Sequence, residues 1–129
     1  MAGGEAFTAF QRQELEKVVA DAERHSGRRF SVYVGPAGDD PRGAAESMHA
    51  ALRRPSESIL ILVDPDAHAL EVVTGAGVRE TLTNRKAALA ALAMQTAFAA
   101  GDLERGLRAG VQQLAEQARA EVNLHTDTP

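Results

Sequence analysis

Apolar and polar positions recur with two different periods along this chain, and the switches between them mark its elements. Leu15, Val18, Val19 and Ala22 repeat at helical spacing, with charged residues filling the other face. Thr8 and Gln11 have the spacing of a capping box at the start of this helix, and Gly27 ends it. "RFSVYV", residues 29–34, then alternates: Phe30, Val32 and Val34 on one side, Ser31 and Tyr33 on the other, the period of a strand. "GPAGDDPRG" breaks the strand. Asp40 is suited to cap a second helix and Pro41 to its first position. Ala44, Ala45, Met48, Ala51 and Leu52 line one face of that helix, which stops before Pro55.

"SILILV", residues 58–63, is continuously apolar between turn formers, as in a strand buried on both faces. "DPDAH" reverses the chain and "ALEVVT" returns, so these two strands are antiparallel. The first and second strands are joined through a helix and are expected to be parallel. A long alanine-rich helix follows from Thr83 or Asn84 to about Ala100. Leu82, Leu89, Leu92 and Ala93 form one apolar stripe on it; Ala91, Met94 and Phe98 form another. So broad an apolar surface predicts a helix that is largely buried, or buried partly by a partner. Gly101 breaks this helix, and Asp102 caps a last one whose inward face is Leu107, Val111, Leu114 and Ala118.

The predicted fold is α/β, in the order αβαββαα. It is a small mixed β-sheet, two parallel strands plus an antiparallel return strand, with helices on both faces. Residues 1–7 read as a loose leader, 8–122 as a single domain and 123–129 as a polar tail. The length of 129 residues suits one ordinary core.

Composition narrows the function classes. The chain is 44% hydrophobic but only 4% aromatic, so its core is aliphatic. Its net charge of −4 argues against a protein that neutralises nucleic-acid phosphates. The doublets Arg28-Arg29 and Arg53-Arg54 have no aromatic platform beside them and read as solvated element ends. Without cysteine there is neither disulfide nor thiolate chemistry. No apolar run approaches the ~20 residues that cross a membrane, and the N-terminus lacks the pattern of a secretory signal. A cytoplasmic protein is expected.

Candidate chemistry lies in the loops. Asp64-Pro65-Asp66-Ala67-His68 holds two carboxylates and an imidazole, but its spacing fits no calcium loop and its composition suits a plain turn. "TGAGVRE" follows a strand, yet Glu80 stands where a dinucleotide-binding loop needs its third glycine. Gly75 and Gly77 are better explained by positive φ and close backbone approach. Asp39 and Asp40 follow the first strand and Asp64 ends the second. If those strands are parallel neighbours, these carboxylates could converge beyond their carboxyl ends, where open α/β sheets bind ligands. Arg42 and Arg79 are the cations expected near that crevice. No histidine or serine sits at a spacing that suggests a nucleophile–base pair.

Three phrases together resemble the TPM domain family: "FTAFQRQELEKVVADAERHSGRRFSVYV", "SILILVDPDAHALEVVTGAGVRETLTN" and "FAAGDLERGLRAGVQQL". The last carries Gly101, Asp102, Gly106 and Gly110 at the family's spacing. The resemblance runs from about Phe7 to about Leu114 and is nearest to a short soluble branch classed as a domain of unknown function. It implies a sheet with helices on both sides, acidic loop residues that can hold a divalent cation such as calcium, and, from a plant relative, acid phosphatase activity. It adds Asn84 to the candidate ligands Asp39, Asp40 and Asp64, since relatives carry an aspartate there. This chain departs from the family in having asparagine at that position, Glu57-Ser58 where Asn-Gly is common, and neither signal nor anchor.

Two functional readings follow. The favoured one is a non-catalytic binding or accessory module in which the apolar long helix, or an open edge of the small sheet, contacts a protein partner. The alternative is a divalent-metal-dependent phosphatase with an acidic site beyond the carboxyl ends of the first two strands.

Overall fold

A computed structural model describes residues 7–119. The element order is α1 (Ala9–Ser26), β1 (Arg29–Val34), α2 (Pro41–Ala50), β2 (Ser58–Asp64), β3 (Ala69–Thr74), α3 (Asn84–Ala99) and α4 (Leu103–Ala118), with short 3-10 turns at Pro55–Glu57 and Val78–Glu80. The three strands form one sheet in the order β1-β2-β3. β1 runs parallel to β2, pairing Arg29 with Ser58 through to Val34 with Val63. β3 returns antiparallel, pairing Ile59 with Thr74 and Asp64 with Ala69. This is the predicted α/β architecture.

Every residue of β2 is buried because both faces of the sheet are covered. Ile59, Ile61 and Val63 point into the larger core, with Leu15, Phe30, Met94, Leu107, Val111 and Leu114. Leu60 and Leu62 point the other way and meet Val73 and Ala45 beneath α2. A continuous apolar run on a period-two element fills both faces in this way.

The local punctuation follows its physical logic. The Thr8 hydroxyl accepts the Gln11 N–H at 3.0 Å, and the Gln11 side chain accepts the Thr8 N–H at 3.0 Å, closing the expected capping box. Thr8→Ala is expected to cost about 1 kcal/mol, read as a lower midpoint in chemical denaturation. Gly27 ends α1 at φ 74°, in the left-handed region. Asp40 caps α2 by accepting the Gly43 N–H at 3.0 Å, with Pro41 at the first helical position. Asp102 occupies the cap position of α4 without making a side-chain cap bond, and instead faces Arg105 at 3.6 Å.

α3 differs most from its sequence reading. It lies against α4 and β3, so only the stripe Ala87, Ala90, Met94 and Phe98 is buried. Leu89 and Leu92, expected inside, are 56% and 62% exposed. Leu82 is fully buried but precedes the helix. The reason is the small number of neighbours. A broad apolar circumference is covered only where other elements reach it.

Of the expected leader, residues 1–6 lie outside the described residues, whereas Phe7 is buried against the core. The expected tail, residues 123–129, also lies outside the described residues. Among the described residues, no helix is long and apolar enough to cross a membrane.

Candidate functional site

The carboxyl ends of β1 and β2 share one mouth, as parallel neighbours must. The Gly35 N–H donates to the Val63 carbonyl at 2.9 Å, carrying the ladder past the end of β1. Asp64 sits at this mouth, 7% exposed. Its Oδ2 accepts the Ala37 N–H at 2.9 Å and its Oδ1 the Ala67 N–H at 3.2 Å. One carboxylate thus holds the loop after β1 and the turn after β2 together. Hydrogen bonds to a charged acceptor are the stronger kind, each contributing about 1.5–3 kcal/mol.

The other expected ligands are differently placed. Asp40 accepts the Gly43 N–H in its capping role, and Asp39 is exposed beside it. Asn84 opens α3 at the other end of β3. It lines a hollow with Thr74 and Arg79, while the far end of the same helix brings Phe98 to stack on His68, ring centroids 5.0 Å apart. So Asp39, Asp40 and Asp64 come from neighbouring loops, and Asn84 is not brought to them. Among the described residues, no three histidine, aspartate or glutamate side chains are grouped so as to hold a metal ion. Arg42 and Arg79 are not at the mouth. Arg42 reaches Glu46 at 3.0 Å, Glu71 at 3.3 Å and the Val72 carbonyl at 2.9 Å, and Arg79 donates to the Thr74 carbonyl. Both lie along the outer edge of β3.

Sequence reasoning missed the feature that dominates the mouth. A groove of about 530 Å³ lies between α1 and β1 and reaches the mouth. Phe7, Leu15, Val19, Val32 and Val34 give it an apolar wall. Arg12, Glu16, Asp64 and Asp66 gather in the same groove. Part of the signal was present in the sequence, where Val32 and Val34 share a face with Phe30; the structure adds that β1 is an edge strand of the sheet. What the sequence lacks is any indication that α1 and β1 leave a groove between them.

Among the described residues, part of this edge carries unpaired backbone. Peptide groups along a strand point alternately to its two sides. Because Gly35 points at β2, so do Tyr33 and Ser31, and the peptide groups of Phe30, Val32 and Val34 point outward. The Phe30 N–H is taken by the Glu23 carboxylate at 2.9 Å. Among the described residues, the N–H groups of Val32 and Val34 have no protein partner. Amide hydrogen exchange of the free protein checks this: Val32 and Val34 are expected to exchange at least about tenfold faster than Ser31 and Tyr33 of the same strand.

The arginine doublets also separate. Arg28 is buried, bonding the Ala118 carbonyl at 2.9 Å and Glu57 at 2.8 Å. Arg29, Arg53 and Arg54 line a smaller hollow of about 190 Å³ near the start of β1. Gly75 and Gly77 of "TGAG" lie between β3 and the turn at Val78–Glu80. Neither glycine has the positive φ expected of it, but Gly75 does make the expected close approach, to the backbone of Pro55 and Ser56.

The family described as "Domain of unknown function (DUF5130)" matches residues 3–115. The chain belongs to the DUF5130 family. A curated relative, the uncharacterized protein Rv2468c of Mycobacterium tuberculosis, is 32% identical over 99 residues, which are 74% of this chain. The DUF5130 chain spans only 59% of that relative's length. Its fold recurs in solved structures. The NMR structure of the BA42 protein from Bizionia argentinensis superposes with a TM-score of 0.79, at 17% identity, over 91% of this chain and 84% of that one. The N-terminal domain of the cg2496 protein from Corynebacterium glutamicum gives 0.73, at 13% identity, over 90% and 76%. The N-terminal domain of a protein from P. gingivalis gives 0.71, at 18% identity, over 88% and 77%. At these identities the likeness is one of fold.

Proposed function

We propose that this DUF5130 domain is a non-catalytic binding or accessory module that contacts a protein partner through the groove between α1 and β1. The supporting observation is the groove itself: an apolar wall beside an edge strand of the sheet, with charged side chains in the same lining. Sites that recognise other molecules are typically concave and mostly apolar, with a few polar groups fixing orientation. Kinship with the TPM domain family is part of this proposal; the layered sheet and helices fit what that resemblance implies. A cytoplasmic setting belongs to it as well.

The alternative, a divalent-metal-dependent phosphatase, needs three or more oxygen ligands on one point. Both Asp64 oxygens already accept backbone N–H groups and Asp40 is committed to its cap. That commitment favours the binding module. Hydrolysis of a generic phosphate ester that depends on added calcium, magnesium or manganese would reverse the preference.

The docking reading is tested by panning a displayed library of random ten-residue peptides against the domain, with Val19→Glu as counter-target. Val19 is half-buried in the groove wall, and circular dichroism checks that the variant folds. Peptides that bind the native domain and are lost with Val19→Glu are the expected result. Enrichment indifferent to that substitution, or none, removes the proposal.

A further inference from the structure

The two edges of this sheet are finished differently. Gly75 donates to the Ser58 carbonyl at 2.9 Å, so the peptide groups of Gly75, Val73 and Glu71 face β2, and those of Thr74, Val72 and Leu70 face outward. On that outer edge Arg42 covers the Val72 carbonyl and Arg79 the Thr74 carbonyl. Placing cations on an edge strand is a known way to prevent another strand from pairing there. Among the described residues, β1 has no such guard beyond its first residues. Glu23 takes the Phe30 N–H. Val32 and Val34, whose peptide groups face outward, line the groove with its apolar wall.

We propose that the groove takes its partner as an extended peptide segment that adds a fourth strand beside β1, and that this segment carries a lysine or arginine at the end lying by Asp66. The inference rests on the docking reading of the groove. Unpaired peptide groups in register at one edge are satisfied by another extended backbone, since its own N–H and C=O groups recur at the same repeat. Alternate side chains of such a segment would turn toward Phe7, Leu15 and Val19, which asks for apolar residues at every second position. The basic end follows from charge. Three carboxylates, Glu16, Asp64 and Asp66, line the groove with one guanidinium, Arg12. Arg12 has no ion pair among the described residues. A cation on the incoming segment meets a surplus of negative charge; an acidic residue meets repulsion.

The experiment uses synthetic copies of the peptides that the native groove selects, so an absence of such peptides counts against the docking reading and not against strand addition alone. Each peptide is N-methylated at one alternating set of backbone nitrogens or at the other. One set is expected to lower affinity about tenfold or more, because its N–H groups face β1, while the other set changes it little. On binding, the Val32 and Val34 amides should become protected from exchange. Equal tolerance of both sets, with binding still abolished by Val19→Glu, overturns strand addition and leaves the groove as a docking site. The selected peptides should be enriched in lysine or arginine, and Glu16→Lys with Asp66→Lys should move the enrichment to aspartate or glutamate. Peptides without charge bias overturn the basic end. Sedimentation of the free chain supplies the last arm. A concentration-dependent dimer in which the Val32 and Val34 amides are protected would give the edge to a second copy of this chain, and overturn a separate partner.

Discussion

Gly75→Ala is expected to destabilise the domain by about 3 kcal/mol or more, enough to unfold a large fraction of a marginally stable protein. A Cβ at this position would run into the Pro55 carbonyl oxygen, and would lie 2.5 Å from the Ser56 carbonyl oxygen and 2.6 Å from its carbon. All of these are backbone atoms, which cannot swing aside as a side chain does. They are also fixed from both sides. The Gly75 N–H donates to the Ser58 carbonyl at 2.9 Å, and the Gly77 N–H donates to the Ser56 carbonyl at 2.9 Å. Making room would pull the end of β3 away from β2, where the sheet enters the core. The natural control is Gly38→Ala. Gly38 has φ +80° with nothing within 4 Å of its added carbon, so only the left-handed strain of about 1 kcal/mol applies. Denaturant midpoints of the two variants measure the comparison. Equal losses would mean that the contact at Gly75 relaxes at little cost.

Asp64→Ala is expected to cost about 3 kcal/mol, because two N–H groups at the mouth lose a charged acceptor together. Asp64→Asn should fall between the native protein and the alanine variant, since an amide retains one oxygen and turns a donor toward the other N–H. Thermal denaturation in the presence of a chelator is the measurement. It separates the two roles proposed for this side chain. A carboxylate that works as a loop fastener is missed equally with and without divalent ions. A carboxylate that works as a cation ligand is missed only when the ion is present. A chelator-independent loss in Asp64→Ala supports the fastener and, with it, the binding module over the phosphatase.

Much of the architecture was legible from periodicity. The alternation in 29–34, the unbroken apolar run in 58–63 and the helical spacing of Leu107, Val111, Leu114 and Ala118 each correspond to an element with that burial. Parallel pairing of β1 with β2 followed from the helix between them, and convergence of their exits followed from the pairing. The failures have a common cause. Which of the α3 stripes is covered depends on how many elements pack on that helix, and nothing in residues 84–99 records the number. The sequence could propose Asp64 for a site but not show that its oxygens are already engaged by Ala37 and Ala67. Asn84 was placed with the acidic loops by resemblance, yet α3 begins at the opposite end of β3. Arg42 and Arg79 were read as cations for a crevice, and they serve a sheet edge.

The amino-acid pattern alone determined the elements, their order and the strand that would be buried on both faces. Those follow from local geometry: a period of two or 3.6, a cap, a glycine. Tertiary structure alone decided which carboxylates remain free, which edge of the sheet is guarded and where the groove opens. Those depend on the distances between segments far apart in the chain, and a hydrogen-bonding group is available to a partner only if no distant residue has reached it first.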